Sequence, residues 1–328
     1  MTEPGARPTT FVTGGCGFIG FALCRRLAAA GHQVVAYDDL SRGREDNLPD
    51  GARLIQGDIR DRRLAEALSD LRADAVIHLA AIHYLPDCAA RPRETQEVNV
   101  EGTRHVLDAC RAAGVRRVVF ASTAAVYAPV EVPCSEDETP LGPIEVYGAS
   151  KLEGERLVEV FSRETGIAAT ALRIANAVGR RETNPHVVPH IFESLRVSNQ
   201  VSLGSIEARR DYIDTRDLAN AILAVLEVSS GYQVFNVGTG IAYSVADIVA
   251  LLRRILGRPI EIRQDASRLR PVERMLLVAD SSRIRRAAGW EPRVSFDETL
   301  RDLVDAYGLG SDSGLDPDSA QPTRTPRA

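Results

Sequence analysis

Residues 9–39 read T-T-F-V-T-G-G-C-G-F-I-G-F-A-L-C-R-R-L-A-A-A-G-H-Q-V-V-A-Y-D-D. A short apolar strand, Thr9 to Thr13, runs straight into the glycine turn Gly14-Gly-Cys-Gly17-Phe18-Ile19-Gly20. A helical pattern follows through Phe21, Leu23, Cys24, Leu27 and Ala28, and it stops at Gly31. Gln33 to Tyr37 is a second strand, ending on Asp38-Asp39. Strand, glycine turn, helix, strand and then an acid form the pattern of a dinucleotide-binding turn. The first glycines permit the tight turn and the approach of a pyrophosphate, and the last lets the helix pack on the sheet. The helix N-terminus offers unpaired N–H groups and the positive end of its dipole. Gly14, Gly17, Phe18, Ile19 and Gly20 are therefore expected against the cofactor. A carboxylate at Asp38 accepts ribose hydroxyls and repels a 2′-phosphate, so the expected cofactor is NAD rather than NADP. The glycines alone also fit a tight turn with no ligand.

Outward from this unit the alternation continues. Strands are expected at Leu54–Asp58, Ala75–Ala81, Arg117–Ser122 and Ala168–Ile174, with helices between them. That pattern predicts an α/β fold, a doubly wound parallel sheet of Rossmann type. Asp58 and Ile59 stand at the end of a strand, where an adenine edge could lie, and Asp58 could equally cap a helix from Leu64. His78, inside a wholly apolar strand, reads as a core histidine. The loop Ile82-His-Tyr-Leu-Pro-Asp-Cys leaves that strand and could wall a substrate. A helix is expected from Glu94 to Ala113. After Asn176 the pattern changes to scattered prolines, a helix near 186–197, and helices at Asp214–Val228 and Ser244–Leu256, the last capped by Ser244 and Asp247. The division expected is a dinucleotide domain at 9–175, joined by 212–242, with a smaller C-terminal α/β substrate domain at 176–211 and 243–308. Residues 1–8 and 309–328 read as disordered tails.

Bulk properties narrow the function. The 328 residues suffice for one large or two moderate domains. With 40 basic against 45 acidic residues the net charge is −5, which argues against nucleic-acid or membrane partners held by bulk charge. The five cysteines (Cys16, Cys24, Cys88, Cys110, Cys134) show neither paired nor metal-ligand spacing, so reduced thiols, a cytoplasmic location and no metal are expected.

Tyr147-Gly-Ala-Ser-Lys151 carries the chemistry. Residues four apart share a helix face. An ammonium beside a phenol favours the phenolate, and a phenol so poised is a general acid or base for a substrate hydroxyl. The same spacing also fits a half-buried tyrosine beside a solvated lysine.

The chain resembles the extended short-chain dehydrogenase/reductases, and within them the nucleoside-diphosphate-sugar epimerase/dehydratase branch. The matching stretches are T-G-G-C-G-F-I-G at 13–20, Y-D-D-L-S-R-G at 37–43, G-D-I at 57–59, H-L-A-A at 78–81, N-V-E-G-T at 99–103, S-T-A-A-V-Y at 122–127, Y-G-A-S-K at 147–151, R-D-Y-I-D at 210–214 and F-N-V-G-T-G at 235–240. The resemblance implies Leu79, Ala80, Ala81 and Asn99 on the cofactor, beside Asp58 and Ile59. It implies Thr123 on the sugar hydroxyl, Tyr147 as acid/base, and Lys151 on the nicotinamide ribose. Asn176, Arg210 and Arg270 match residues around the substrate diphosphate, for which guanidinium groups are suited; Arg210 also fits a surface ion pair. It further implies a homodimer through helices at about 94–113 and 147–164.

The departures from the family pattern sharpen the expectation. Dehydratases carry Asp-Glu after the position of Thr123, and decarboxylases usually a glutamate there; Ala124-Ala125 can move no proton. Ala128, Ala175, Val272 and Glu273 replace the usual residues around the sugar-nucleotide pocket. The expected activity is NAD-dependent epimerisation of a nucleoside-diphosphate sugar at C4 through a transient 4-keto sugar. The alternatives are a 4-keto-sugar reductase using the same residues, or a non-catalytic NAD-binding protein. Arg91, Arg93, Arg180 and Arg181 would suit an acidic sugar, or are solvated.

Overall fold

The computed structural model describes residues 7–228, 231–268 and 273–310. In chain order the strands are β1 (Thr9–Thr13), β2 (Gln33–Asp38), β3 (Arg53–Gln56), β4 (Ala75–His78), β5 (Arg117–Thr123) and β6 (Ala168–Ile174). They continue as β7 (Asn176–Val178), β8 (Gln200–Leu203), β9 (Arg209–Asp214), β10 (Tyr232–Val237), β11 (Ala242–Ser244), β12 (Glu261–Gln264) and β13 (Leu276–Leu277). The main sheet runs β10-β6-β5-β4-β1-β2-β3 and is parallel throughout. The strand order reverses between β1 and β4, which opens a crevice at their carboxyl ends.

The sheet is apolar on both faces because each face is covered. Leu23 and Leu27 of helix Phe18–Ala29 pack with Leu218 and Ile222 of helix Thr215–Val225 on one side. Leu64, Val106, Val158 and Phe161, from three further helices, cover the other. The second domain is built on β9, which pairs with β7 and β13 in parallel and with β11 antiparallel. Strands β8 and β12 form a separate parallel pair. Phe192, Ile248, Leu252 and Leu300 form the core that joins these strands to helices Val187–Val197, Val245–Leu256 and Phe296–Ala306. Ser244 and Asp247 make the expected capping box.

Several expectations shift. Tyr212–Asp214, grouped with the large sheet, belongs to β9 of the small one. Leu79–Ala81 lie beyond β4, and the loop expected at Ile82–Cys88 turns helical at Leu85–Ala90, where Pro86 sits in the first turn. Asp58 caps no helix, since the next one begins at Arg63. The helix expected at 94–113 is interrupted by a π turn, Glu97–Glu101, which buries Asn99. Of the expected tails, 1–6 and 311–328 lie outside the described residues. Within them Pro8 accepts a hydrogen bond from Gln33 N–H at 2.9 Å, and Leu309 is buried.

One buried polar network joins the sheet to the helix that carries Tyr147. Arg173 on β6 grips Glu155 through Nε at 3.0 Å and Nη2 at 2.8 Å, with both side chains nearly sealed from water. Ser122 on β5 donates to the same carboxylate at 2.5 Å. Arg173 Nη1 reaches the Tyr127 hydroxyl at 3.0 Å, and that hydroxyl donates to Asn236 Oδ1 on β10 at 2.7 Å. Removing one member of a buried pair leaves an uncompensated charge, at a loss of about 3–5 kcal/mol. We expect Arg173→Met to lose that much in urea unfolding, and the double change with Glu155→Leu to recover part of it. A single variant within about 1 kcal/mol of the parent would contradict this role.

Candidate active site

A cleft of about 1390 Å³ runs from the glycine turn, across the carboxyl ends of the main sheet, to the second domain. At its first end Gly14 has φ +69°, and a Cβ there would stand 2.8 Å from the Ala80 backbone nitrogen. A Cβ on Gly20 would strike the Gly15 carbonyl. Only glycine therefore lets the turn close against Ala80 and the helix begin at Phe18. Asp38 is buried and accepts from the backbone N–H groups of Cys16 at 3.0 Å and Leu40 at 2.9 Å. Burial raises its pKa, and those two N–H groups oppose the rise. Gly14, Gly17, Phe18, Ile19, Gly20 and Asp38 all line the cleft, as do Asp58, Ile59, Leu79, Ala80 and Ala81. A side-chain-free cradle, a helix N-terminus and a buried carboxylate fit a dinucleotide. Asp58 is already held by Arg60, through Nε at 2.9 Å and Nη2 at 2.5 Å, which lowers its pKa.

At the middle of the cleft Thr123 ends β5, and Tyr147 and Lys151 lie in the first turns of helix Val146–Thr165. Lys151 is 2 % exposed, with Nζ 4.6 Å over the Phe120 ring. Burial pulls its pKa down to about 7. The expectation that this lysine depresses the tyrosine is corrected in the protein by itself. Crowding by protein atoms pushes the Tyr147 phenol above its ordinary value, the Cys88 thiol adds to the rise, and a hydrogen bond with the Thr123 side chain only partly opposes it. Desolvation is the largest cause. Beyond Thr123, Ala125 lines the cleft and Ala124 is buried, so neither offers a proton.

Other expected contacts are placed differently. Asn99 does not line the cleft. Its Oδ1 accepts from Ile82 N–H at 2.8 Å, and its Nδ2 donates to the Ile82 carbonyl at 2.8 Å and to Ser150 Oγ at 2.9 Å. It fixes the loop after β4 against the Tyr147 helix. Asn176 is exposed and opens on the cleft. Arg210 also reaches the cleft, but Nη2 is paired with Glu273 at 2.7 Å. Arg270 and Val272 lie outside the described residues. Of the four arginines read as suiting an acidic sugar, only Arg91 lines the cleft, and Asp87 and Glu94 hold it.

Sequence reasoning missed other groups. Arg274 lines the cleft at 4 % exposure with Nη1 and Nη2 lacking hydrogen-bond partners, and the carboxylate of Glu145 stands 4.0 Å away. His83, Glu182 and His186 converge in the same cleft. Burial lowers His83 to about 4 and raises Glu182 to about 7. Glu182 and His186 stand four apart in one segment, but His83 and Arg274 come from distant parts of the chain, so no local spacing signals the set.

The comparisons agree with this arrangement. A curated relative from Corynebacterium glutamicum, named UDP-glucose 4-epimerase, is 34% identical over 92% of this chain and 96% of its own. The crystal structure of a UDP-glucose 4-epimerase from Thermotoga maritima with UDP-glucose superposes with a TM-score of 0.84 at 30% identity, covering 92% of this chain and 98% of that one. That of the Thermus thermophilus UDP-glucose 4-epimerase with NAD also gives 0.84, at 31% identity over 92% and 99% of the two chains. The family model described as "NAD dependent epimerase/dehydratase family" matches residues 10–238, so the match takes in the glycine turn, Thr123, Tyr147 and Lys151 together. On that match, and on relatives aligned along nearly their whole length, the chain belongs to the NAD dependent epimerase/dehydratase family.

Proposed function

We propose that this chain is a nucleoside-diphosphate-sugar 4-epimerase that holds NAD at the glycine turn, with UDP-hexoses as its first candidates for substrate. The observation that carries the reading is the placement of Thr123, Tyr147 and Lys151 in one cleft, beside Ala125 where an eliminating enzyme needs an acid. Gly14, Gly17, Gly20 and Asp38 would hold the dinucleotide, which when bound supplies a reversible hydride acceptor. Tyr147 Oη takes the proton from the C4 hydroxyl and returns it after the sugar turns over. Thr123 Oγ1 orients that hydroxyl. Lys151 keeps its ammonium beside the phenol and favours the phenolate when a ligand reorders the site. Arg210 and Arg274 are the cationic groups offered to a diphosphate, Arg210 by exchanging its bond to Glu273. With no proton donor at Ala124 or Ala125, loss of water has no acid here, and the 4-keto sugar is reduced back.

A homodimer through the paired helices Gly102–Ala113 and Val146–Thr165, which Arg111 and Glu164 bridge at 2.8 Å, is part of the same proposal. So is a cytoplasmic setting, supported by five free, buried cysteines. Among the described residues no helix is long and apolar enough to cross a membrane.

Tyr147→Phe should bind NAD as the parent does yet lose about 10²–10⁴-fold in turnover of UDP-galactose, followed by NMR. Epimerisation at the parental rate would remove Tyr147 from the mechanism. Lys151 gives a second, thermodynamic check. Its pKa falls from 10.5 to about 7 on folding, so between those values the unfolded chain binds more protons and stability rises with pH. Below pH 7 the buried charge is fully present and opposes folding. Lys151→Met should therefore raise the unfolding midpoint of cofactor-free protein at about pH 6, and the gain should shrink towards about pH 10. A pH-independent difference would show that burial of the charge is not the cause.

A further inference from the structure

His83 lies on the loop after β4, and Glu182 and His186 lie between β7 and helix Val187–Val197. One ligand atom from each falls within 4.8 Å of the other two. The His83 and His186 rings stack at 5.8 Å and 26°, and Tyr84 meets His186 edge-on at 5.4 Å. His83 donates one ring N–H to the Ala81 carbonyl, while its Nε2 lies 3.0 Å from Asn184 Nδ2. With that amide donating, the Nε2 lone pair is taken by Asn184, and a metal would replace that amide at Nε2. A neutral imidazole whose other N–H is held by a backbone carbonyl is the arrangement found at metal-binding histidines. Asn184, 3 % exposed, has an Oδ1 with no partner at this same spot. Glu182 accepts from Asn184 N–H at 2.9 Å.

We propose that His83, Glu182 and His186 form a site for one divalent transition-metal ion of the zinc type, with its remaining position open to the cleft. Two imidazoles and a carboxylate are a donor set that holds zinc while leaving room for a water or a substrate oxygen. Bonds of ~2.0–2.2 Å require the three atoms to close to about 3.5 Å from one another, a movement of roughly one ångström over the present spread. The proposal does not depend on the epimerase reading. It adds a Lewis-acidic centre that Tyr147 chemistry does not require, in the cleft where a ligand oxygen would arrive.

The test uses the full chain with its bound cofactor, cleared of metal by a chelator and then given one equivalent of Co²⁺ or Zn²⁺. One ion per chain should survive gel filtration, and the cobalt form should show visible d–d bands without thiolate charge transfer. His83→Gln and His186→Gln should each weaken retention by at least about 100-fold while melting and cofactor content stay at parental values. Failure of the parent to retain either ion overturns the proposal, as does equal retention by both variants. If the variants fold poorly, the parent's cobalt spectrum decides: no bands, or bands of thiolate ligation, overturn it.

Discussion

The contact between Glu155 and Arg173 sets the geometry on which the rest of the site depends. Glu155 lies one turn beyond Lys151 on the same helix, and Ser122, which donates to its carboxylate, precedes Thr123 on β5. The pair thus fixes the height of the Tyr147 helix against the strand that ends in Thr123. Through Tyr127 and Asn236 the same network reaches β10, so the edge strand is locked to the site as well. Such a pair contributes little net stability over a well-packed apolar one. What it supplies is register: a one-residue slip of the helix would leave two ions buried and unmatched.

The charge states in the cleft follow from crowding. Burial moves Lys151 and His83 toward neutrality and raises the protonated fraction of Tyr147 and Glu182. Crowding thus shifts each of these groups toward its uncharged form. Asp38 follows the same rule, raised by burial while the N–H groups of Cys16 and Leu40 oppose the rise. Perturbed groups gathered in a cleft are where an active site is expected, and this cleft holds several.

Much of the first half of the molecule was legible in the sequence. Parallel strands buried on both faces read as unbroken apolar runs, and β1, β2, β5 and β6 fall within a residue of where those runs stand. In the second domain the helices near 186–197 and 244–256 were legible, but most of the strands were not. Strands β7, β11 and β13 are two or three residues long, too short for any period to show, and β9 begins with two arginines. Among site residues, Gly14, Asp38, Thr123, Tyr147 and Lys151 were legible because local chemistry demands them. The clamp that Asn99 makes with Ile82 and Ser150 was not legible, because only the fold brings those groups to it. The tyrosine pKa was misjudged because spacing reveals a neighbouring charge but not the desolvation that opposes it. His83, Glu182 and His186 needed two loops to meet.

The path of the chain through the main sheet bears on how the protein is made. After β6 the backbone leaves to build β7, β8 and β9, and only then returns through helix Thr215–Val225 to add β10 beside β6. A nascent chain that has emerged only as far as β6 therefore has an open sheet edge there and no cover over Leu23 and Leu27 on the first helix. The dinucleotide fold cannot close as an early, autonomous unit during synthesis. It waits for a strand some sixty residues downstream (β6 ends at Ile174 and β10 begins at Tyr232), so the two domains complete one another on the ribosome, and an interrupted chain exposes an adhesive edge.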